Sequence, residues 1–129
     1  MAMKILIDTN RYTDFARNVP DVVTRFLEAE EIAVPFAVVA ELRAGFKNGT
    51  LLSQNEAGLV RFLENPKVFV LFPDLATTNV YADIFAQLRR QGTPIPTNDI
   101  WIAALALQHS LPLYTRDGDF KHVQQLELV

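Results

Sequence analysis

The stretch Lys4-Ile5-Leu6-Ile7-Asp8-Thr9-Asn10 decides the fold class: an apolar run of strand length stops at a carboxylate, and helical spacing begins at the next residue. Comparable runs, mostly β-branched or aromatic, recur at 31–34, 68–72, 113–114 and 126–129, and each reads as a strand. Between them the spacing predicts helices over 9–17, 20–29, 36–47, 53–64, 78–90 and 98–108. Ser53 with Glu56 three residues on has the form of a capping box, Pro20 suits a first helical position, and Gly92 after Arg89-Arg90 suits a helix stop. Strands alternating with helices predict an α/β fold with a mostly parallel sheet of about five strands and helices on both faces.

With 129 residues, half of them apolar, and no repeat or Gly/Ser linker, the chain reads as one domain spanning 1–129. Twelve basic against fifteen acidic residues give a net charge of −3, which excludes a protein that binds nucleic acid or lipid chiefly through a broad cationic surface. Cysteine is absent, so disulfides, zinc–thiolate sites, iron–sulfur clusters and thiol catalysis are excluded. The N-terminal apolar run meets Asp8 after three residues, and no run approaches the ~20 residues that span a bilayer. The expectation is a soluble, cytoplasmic protein.

Four acids fall beyond the carboxyl ends of expected strands or in the helices that follow: Asp8, Glu41, Asp99 and Asp117. That edge of an open parallel sheet is where ligand crevices form, so residues distant in sequence can converge there. Asp99 joins the others only if the segment 92–96 brings its helix start to the same edge. Each acid also has a plain structural role open to it. Asp8 can cap a helix, Asp99 can complement a helix dipole, Asp117-Gly118 is an ordinary turn dipeptide, and Glu41 can lie on a solvated helix face. Glu41 is the hardest to explain that way, because it interrupts Val34-Pro35-Phe36-Ala37-Val38-Val39-Ala40, where a charge entering a packed helix needs a partner. A cluster of the four would raise some of their pKa values unless cations occupied it, and oxygen-only ligands suit Mg²⁺ or Mn²⁺ better than zinc. His109 and His122 read as structural, and no G-x-S-x-G, G-x-x-x-x-G-K-[ST] or G-x-G-x-x-G is present.

Four blocks in order carry a family resemblance. They are Ile5-Leu6-Ile7-Asp8-Thr9-Asn10, the segment from Pro35 through Glu41-Leu42 to Gly45, Asn98-Asp99-Ile100-Trp101-Ile102-Ala103-Ala104, and Pro112-Leu113-Tyr114-Thr115-Arg116-Asp117-Gly118-Asp119-Phe120. Over nearly the whole chain this pattern resembles the PIN-domain ribonucleases and, within them, the VapC-type toxins of toxin–antitoxin pairs. The resemblance implies a PIN-like α/β/α sandwich and endonucleolytic cleavage of RNA with one or two Mg²⁺ or Mn²⁺ ions. Carried over by position, it makes Asp8, Glu41, Asp99 and Asp117 the catalytic metal-holding acids, with Asp119 a second choice for the last place. Thr9 or Asn10, and Thr115, match its supporting polar positions. It also implies a cognate VapB-like antitoxin, toxin homodimers, and a larger complex that binds promoter DNA through the antitoxin. Two bound divalent ions would move the formal charge from −3 to +1.

Arg11, Arg43, Lys47 and Arg116 lie near the acids in sequence and are candidates for positioning the RNA backbone, though each reads equally as a surface cation. Arg11 departs from the family pattern, which is more usually apolar there. Phe15, Phe26, Phe46, Leu51, Leu52 and Phe62 are candidates for an antitoxin groove, against the plainer reading of core. Two other functions compete. A phosphoacceptor receiver domain shares the length and alternation, with Asp74 and Lys121 as its nearest equivalents, but the acidic pair after the first strand is missing. A PIN-like scaffold that binds without cutting keeps the same fold, and metal titration separates it from the enzyme.

Overall fold

Four short apolar strands, β1 (Lys4–Ile7), β2 (Glu31–Pro35), β3 (Val68–Leu71) and β4 (Leu113–Tyr114), pair in parallel in the order β3-β2-β1-β4. The computed structural model describes residues 3–129; Met1 and Ala2, part of the expected span 1–129, lie outside the described residues. Ile5, Leu6 and Ile7 are fully buried, which a strand achieves only when both sheet faces are covered. Helices α1 (Thr9–Ala16), α2 (Pro20–Glu28), α3 (Phe36–Lys47), α4 (Leu52–Leu63), α5 (Leu75–Gln91) and α6 (Thr97–Gln108) provide the cover in an α/β/α arrangement.

The expected fifth strand reduces to a single bridge between Leu113 and Leu128. Leu113 N donates to Glu127 O at 2.8 Å and Val129 N donates to Leu113 O at 3.0 Å. Because β4 is only two residues long, its free edge offers one residue's worth of pairing, and the ladder ends there.

Helix ends hold two further corrections. The expected Ser53 cap does not form: α4 starts at Leu52 with no side-chain cap, and Glu56 instead meets Arg43 Nη2 at 2.7 Å. The capping box belongs to α5, where Asp74 Oδ1 accepts from Thr77 N at 3.1 Å and Thr77 Oγ1 accepts from Asp74 N at 2.9 Å, so the helix starts three residues before Thr78. Buried Thr77 also donates to Gln108 Oε1, and Gln108 Nε2 donates back to Asp74 Oδ1 at 2.9 Å, which ties α5 to the end of α6. Asp74 thus serves as a helix cap through Oδ1. Pro20 and Gly92 behave as expected; Gly92 closes α5 at φ +71°, a conformation costly for other residues.

Helix α6 is apolar on nearly every side, with Ile100 and Ile102 through Ala106 buried, so it packs as an internal helix against α5, α3 and β2. Burying each of its large aliphatic side chains is worth about 1.5–3 kcal/mol. Asp99 is the one acid in this helix, set in its first turn. Among the described residues no helix is long and apolar enough to cross a membrane.

Candidate metal centre

The strand order reverses direction between β1 and β4, and a crevice opens where a parallel sheet does this. Asp8 stands at the carboxyl end of β1, only 3% exposed. One of its oxygens caps α1 by accepting from Arg11 N at 3.0 Å, while the other accepts from the hydroxyl of Thr115, just beyond β4. Thr115 Oγ1 in turn accepts from Asp117 N at 3.0 Å, and Asp117 Oδ1 accepts from Asp119 N at 2.9 Å, opening a short 3-10 turn over Gly118–His122. A chain of hydrogen bonds thus joins the ends of the two neighbouring strands and fixes where Asp117 stands.

Helix α3 delivers Glu41 and the start of α6 delivers Asp99 to the same place. A cleft of about 230 Å³ is lined by Asp8, Thr9, Asn10, Glu41, Asn98, Asp99 and Asp117. The segment 92–96 therefore does turn the α6 start to the carboxyl edge, which the sequence left conditional. Carboxylate oxygens of Asp99, Asp117 and Asp119 lie within 4.8 Å of one another, so both candidates for the last place stand at the site.

Packing these acids together costs ionisation. Asp99 is pushed up to about 6, first by burial and then by the charges of Asp117, Glu41, Asp119 and Asp8. Burial also raises Glu41, and Asp8 adds to the rise. Asp8 is raised by burial in spite of its hydrogen bonds to Thr115 and the Arg11 amide. Among the described residues, Glu41 Oε1 and Thr9 Oγ1 are buried with no hydrogen-bond partner. An all-oxygen donor set, mutual repulsion and an orphaned carboxylate oxygen fit a hard divalent cation, which would neutralise the cluster and satisfy that oxygen.

A family model for the PIN domain matches residues 5–126. The chain belongs to the PIN-domain family. Ribonuclease VapC1 of Haemophilus influenzae (strain R2866) is 30% identical to this PIN chain over 132 aligned residues, covering 97% of this chain and 96% of that protein. The plasmid stability protein StbB of Pseudomonas syringae pv. tomato is 32% identical over 129 aligned residues, 91% of each. Among solved structures, VapBC2 from Rickettsia felis, bound to a DNA fragment from its promoter, contains a chain that superposes with a TM-score of 0.88 at 25% identity, over 98% of both chains.

The basic residues of the PIN chain are distributed otherwise than their sequence proximity suggests. Arg43 and Lys47 line a separate surface depression between α3 and α4, where Arg43 is paired with Glu56. Arg116 is held by Asp14 through Nε at 2.9 Å and Nη2 at 3.3 Å. Arg11 Nη1 lies 3.5 Å from the same Asp14, and its guanidinium sits 4.1 Å from the centre of the Tyr114 ring. None of the four lines the acidic cleft.

Asp14 is the residue that the sequence reading passed over. It is 7% exposed, Arg116 holds its carboxyl below the usual range, and it binds α1 to the segment carrying Asp117. Its i,i+3 spacing from Arg11 was a local signal, but the partner 102 positions away was not. Asn98 also lines the cleft, without having been singled out beside Asp99. Of the apolar groove candidates, Phe26 is core and stacks on Phe15 at 4.6 Å, with Phe62 completing the cluster. Phe46 and Leu51 do line a groove, and Leu52 is exposed beside the α3–α4 depression.

Proposed function

We propose that this chain, as one domain spanning 1–129, is an endoribonuclease dependent on Mg²⁺ or Mn²⁺ and the toxin of a VapBC-type pair. The observation that carries the reading is the convergence of Asp8, Glu41, Asp99 and Asp117 in one cleft, in a chain of the PIN family. These four would hold the cation, with Asp119 beside Asp117. When bound, a divalent cation supplies Lewis-acid polarisation of a phosphodiester and a lowered pKa for an attacking water.

The protein's own contribution is positioning. Thr115 orients the Asp8 carboxylate and Asp119 N orients that of Asp117, while Asp99, raised by burial and by the neighbouring acids, would give up its proton when a cation binds. Among the described residues no histidine lines the cleft, so its titratable groups are carboxylates. Likeness to VapC1 and to the VapBC2 complex supports an RNA substrate and an antitoxin partner, with homodimers inside a complex that reaches promoter DNA through the antitoxin. A cytoplasmic location accords with that role.

The test is cleavage of a mixed cellular RNA pool by purified protein with Mn²⁺ or Mg²⁺, beside an EDTA control and the Asp99→Asn variant. Metal-dependent cuts lost in a folded variant are expected. Folded, metal-bound protein that leaves every RNA intact would turn the reading to a non-catalytic PIN-like scaffold.

A further inference from the structure

A second concavity, of about 670 Å³, shares Thr9 and Glu41 with the acidic cleft and runs from it between α1, α3 and α4. Its only acid is Glu41, at the end where the two meet. Away from that end it carries Arg17 and Arg61, both exposed and in no ion pair among the described residues. The exposed residues Gln54 and Asn55 line the same groove, together with Tyr12 and Phe46. Gly45 leaves the groove open, because a Cβ added there meets no atom within 4 Å.

Resting on the ribonuclease reading, we infer that this groove holds the single-stranded RNA flanking the scissile phosphate, with Arg17 and Arg61 on its backbone and Gln54 and Asn55 at base edges. Two arguments select this occupant. The groove adjoins the cleft at Thr9 and Glu41, so a strand whose phosphate lies at the acids must run out along some path, and this one begins at Glu41. Its charge is complementary to phosphate, whereas Arg43 and Arg116 are already neutralised by Glu56 and Asp14. Unpaired amides and ring-bearing walls suit splayed bases, whose edges a duplex would hide. Gln54 and Asn55 are thereby the residues that set sequence preference, and Arg17 and Arg61 set affinity without regard to sequence.

The test is binding of a short mixed-sequence single-stranded RNA by the full chain, across a salt series with Mn²⁺ present and with Asp99→Asn as the uncut background. Arg17→Ala with Arg61→Ala should weaken binding roughly tenfold or more and make the salt slope shallower by about 1.4, or about 0.7 per phosphate contact on a single strand. Gly45→Leu, whose Cβ meets no atom within 4 Å, places bulk in the groove and should weaken binding comparably. In the chain with Asp99 intact, it should leave Mn²⁺ affinity unchanged, which a general loss of fold would not. Arg89→Ala with Arg90→Ala, outside both concavities, is the control and should bind like the parent. Groove variants that bind RNA with the parent's affinity and slope, in a protein that still cuts RNA, overturn the inference and leave the groove to a protein partner. An unmutated chain that takes up Mn²⁺ yet neither holds nor cuts RNA overturns the ribonuclease reading as well, so the two failures are distinguishable.

Discussion

Two clusters centred on acids sit at different ends of α6 and are built on opposite principles. At its C-terminal end Asp74, Thr77 and Gln108 answer one another donor for acceptor, and the Gln108 and Thr77 bonds hold the Asp74 carboxyl below its ordinary range. At its N-terminal end Asp8, Glu41, Asp99 and Asp117 face one another with few donors, and the first three of these acids are raised. The first cluster completes the fold from within. The second leaves charge that only something from outside can neutralise, which is how a binding centre differs from a structural polar network.

The largest contrast should come from removing one acid. Glu41→Gln is expected to lower metal-dependent RNA cleavage more than about 100-fold while the thermal midpoint holds or rises, since a repelled buried charge has gone. Cleavage gels beside a melting curve measure both, and near-normal cleavage would break the distinction. Asp14→Asn comes next. Loosening Arg116 from α1 should reduce Mn²⁺ affinity by about 10- to 100-fold, the range typical of groups that orient ligands, and titration calorimetry reads it directly.

Protons give the third contrast, with opposite signs in the two clusters. Because Asp99 ionises only near 6, a cation must displace its proton at lower pH, and Mn²⁺ affinity should fall about tenfold per unit below that point. In metal-free protein the folded state keeps this proton between 3.8 and about 6 while the unfolded chain has lost it. The Asp99 contribution to stability therefore declines as pH rises through that window. Asp74 and Asp14 are lowered, so their contribution is present above the ordinary carboxyl range and is lost as pH falls below it. Denaturant melts across the acid range resolve the two trends. The smallest effect on activity should be that of Thr77→Val, which keeps shape, removes the hydroxyl, costs about 1–3 kcal/mol of stability and leaves cleavage unchanged.

Much of this was legible from local sequence. Apolar runs, mostly β-branched or aromatic, marked all four strands, and their position before Asp8 and Asp117 marked the carboxyl edge. What failed did so for identifiable reasons. The run 126–129 had strand composition, but among the described residues it met only a two-residue strand. Ser53 had a Glu at the right spacing, yet Arg43 claimed that Glu from another helix. The true box used Thr77 where Glu or Gln is the usual signal. Asp8 and Asp117 were readable because each follows a strand, whereas Asp99, at a helix start after α5, rested on the family resemblance and on the turn at 92–96. The fates of Arg43 and Arg116 were not, since pairing with Glu56 and Asp14 is decided by helices meeting in space.

The hydrogen bond between Thr115 and Asp8 spans 107 positions, and it has a consequence for the time at which the protein becomes active. β1 leaves the ribosome early, yet its second neighbour β4 and the Asp117 loop come only after the rest of the sheet. Contacts this distant in sequence form late in folding. A growing or truncated chain that stops short of Thr115 has Asp8, Glu41 and Asp99 but lacks Asp117 and the hydroxyl that holds Asp8, so its acidic crevice stays incomplete until the last part of the sheet has been made.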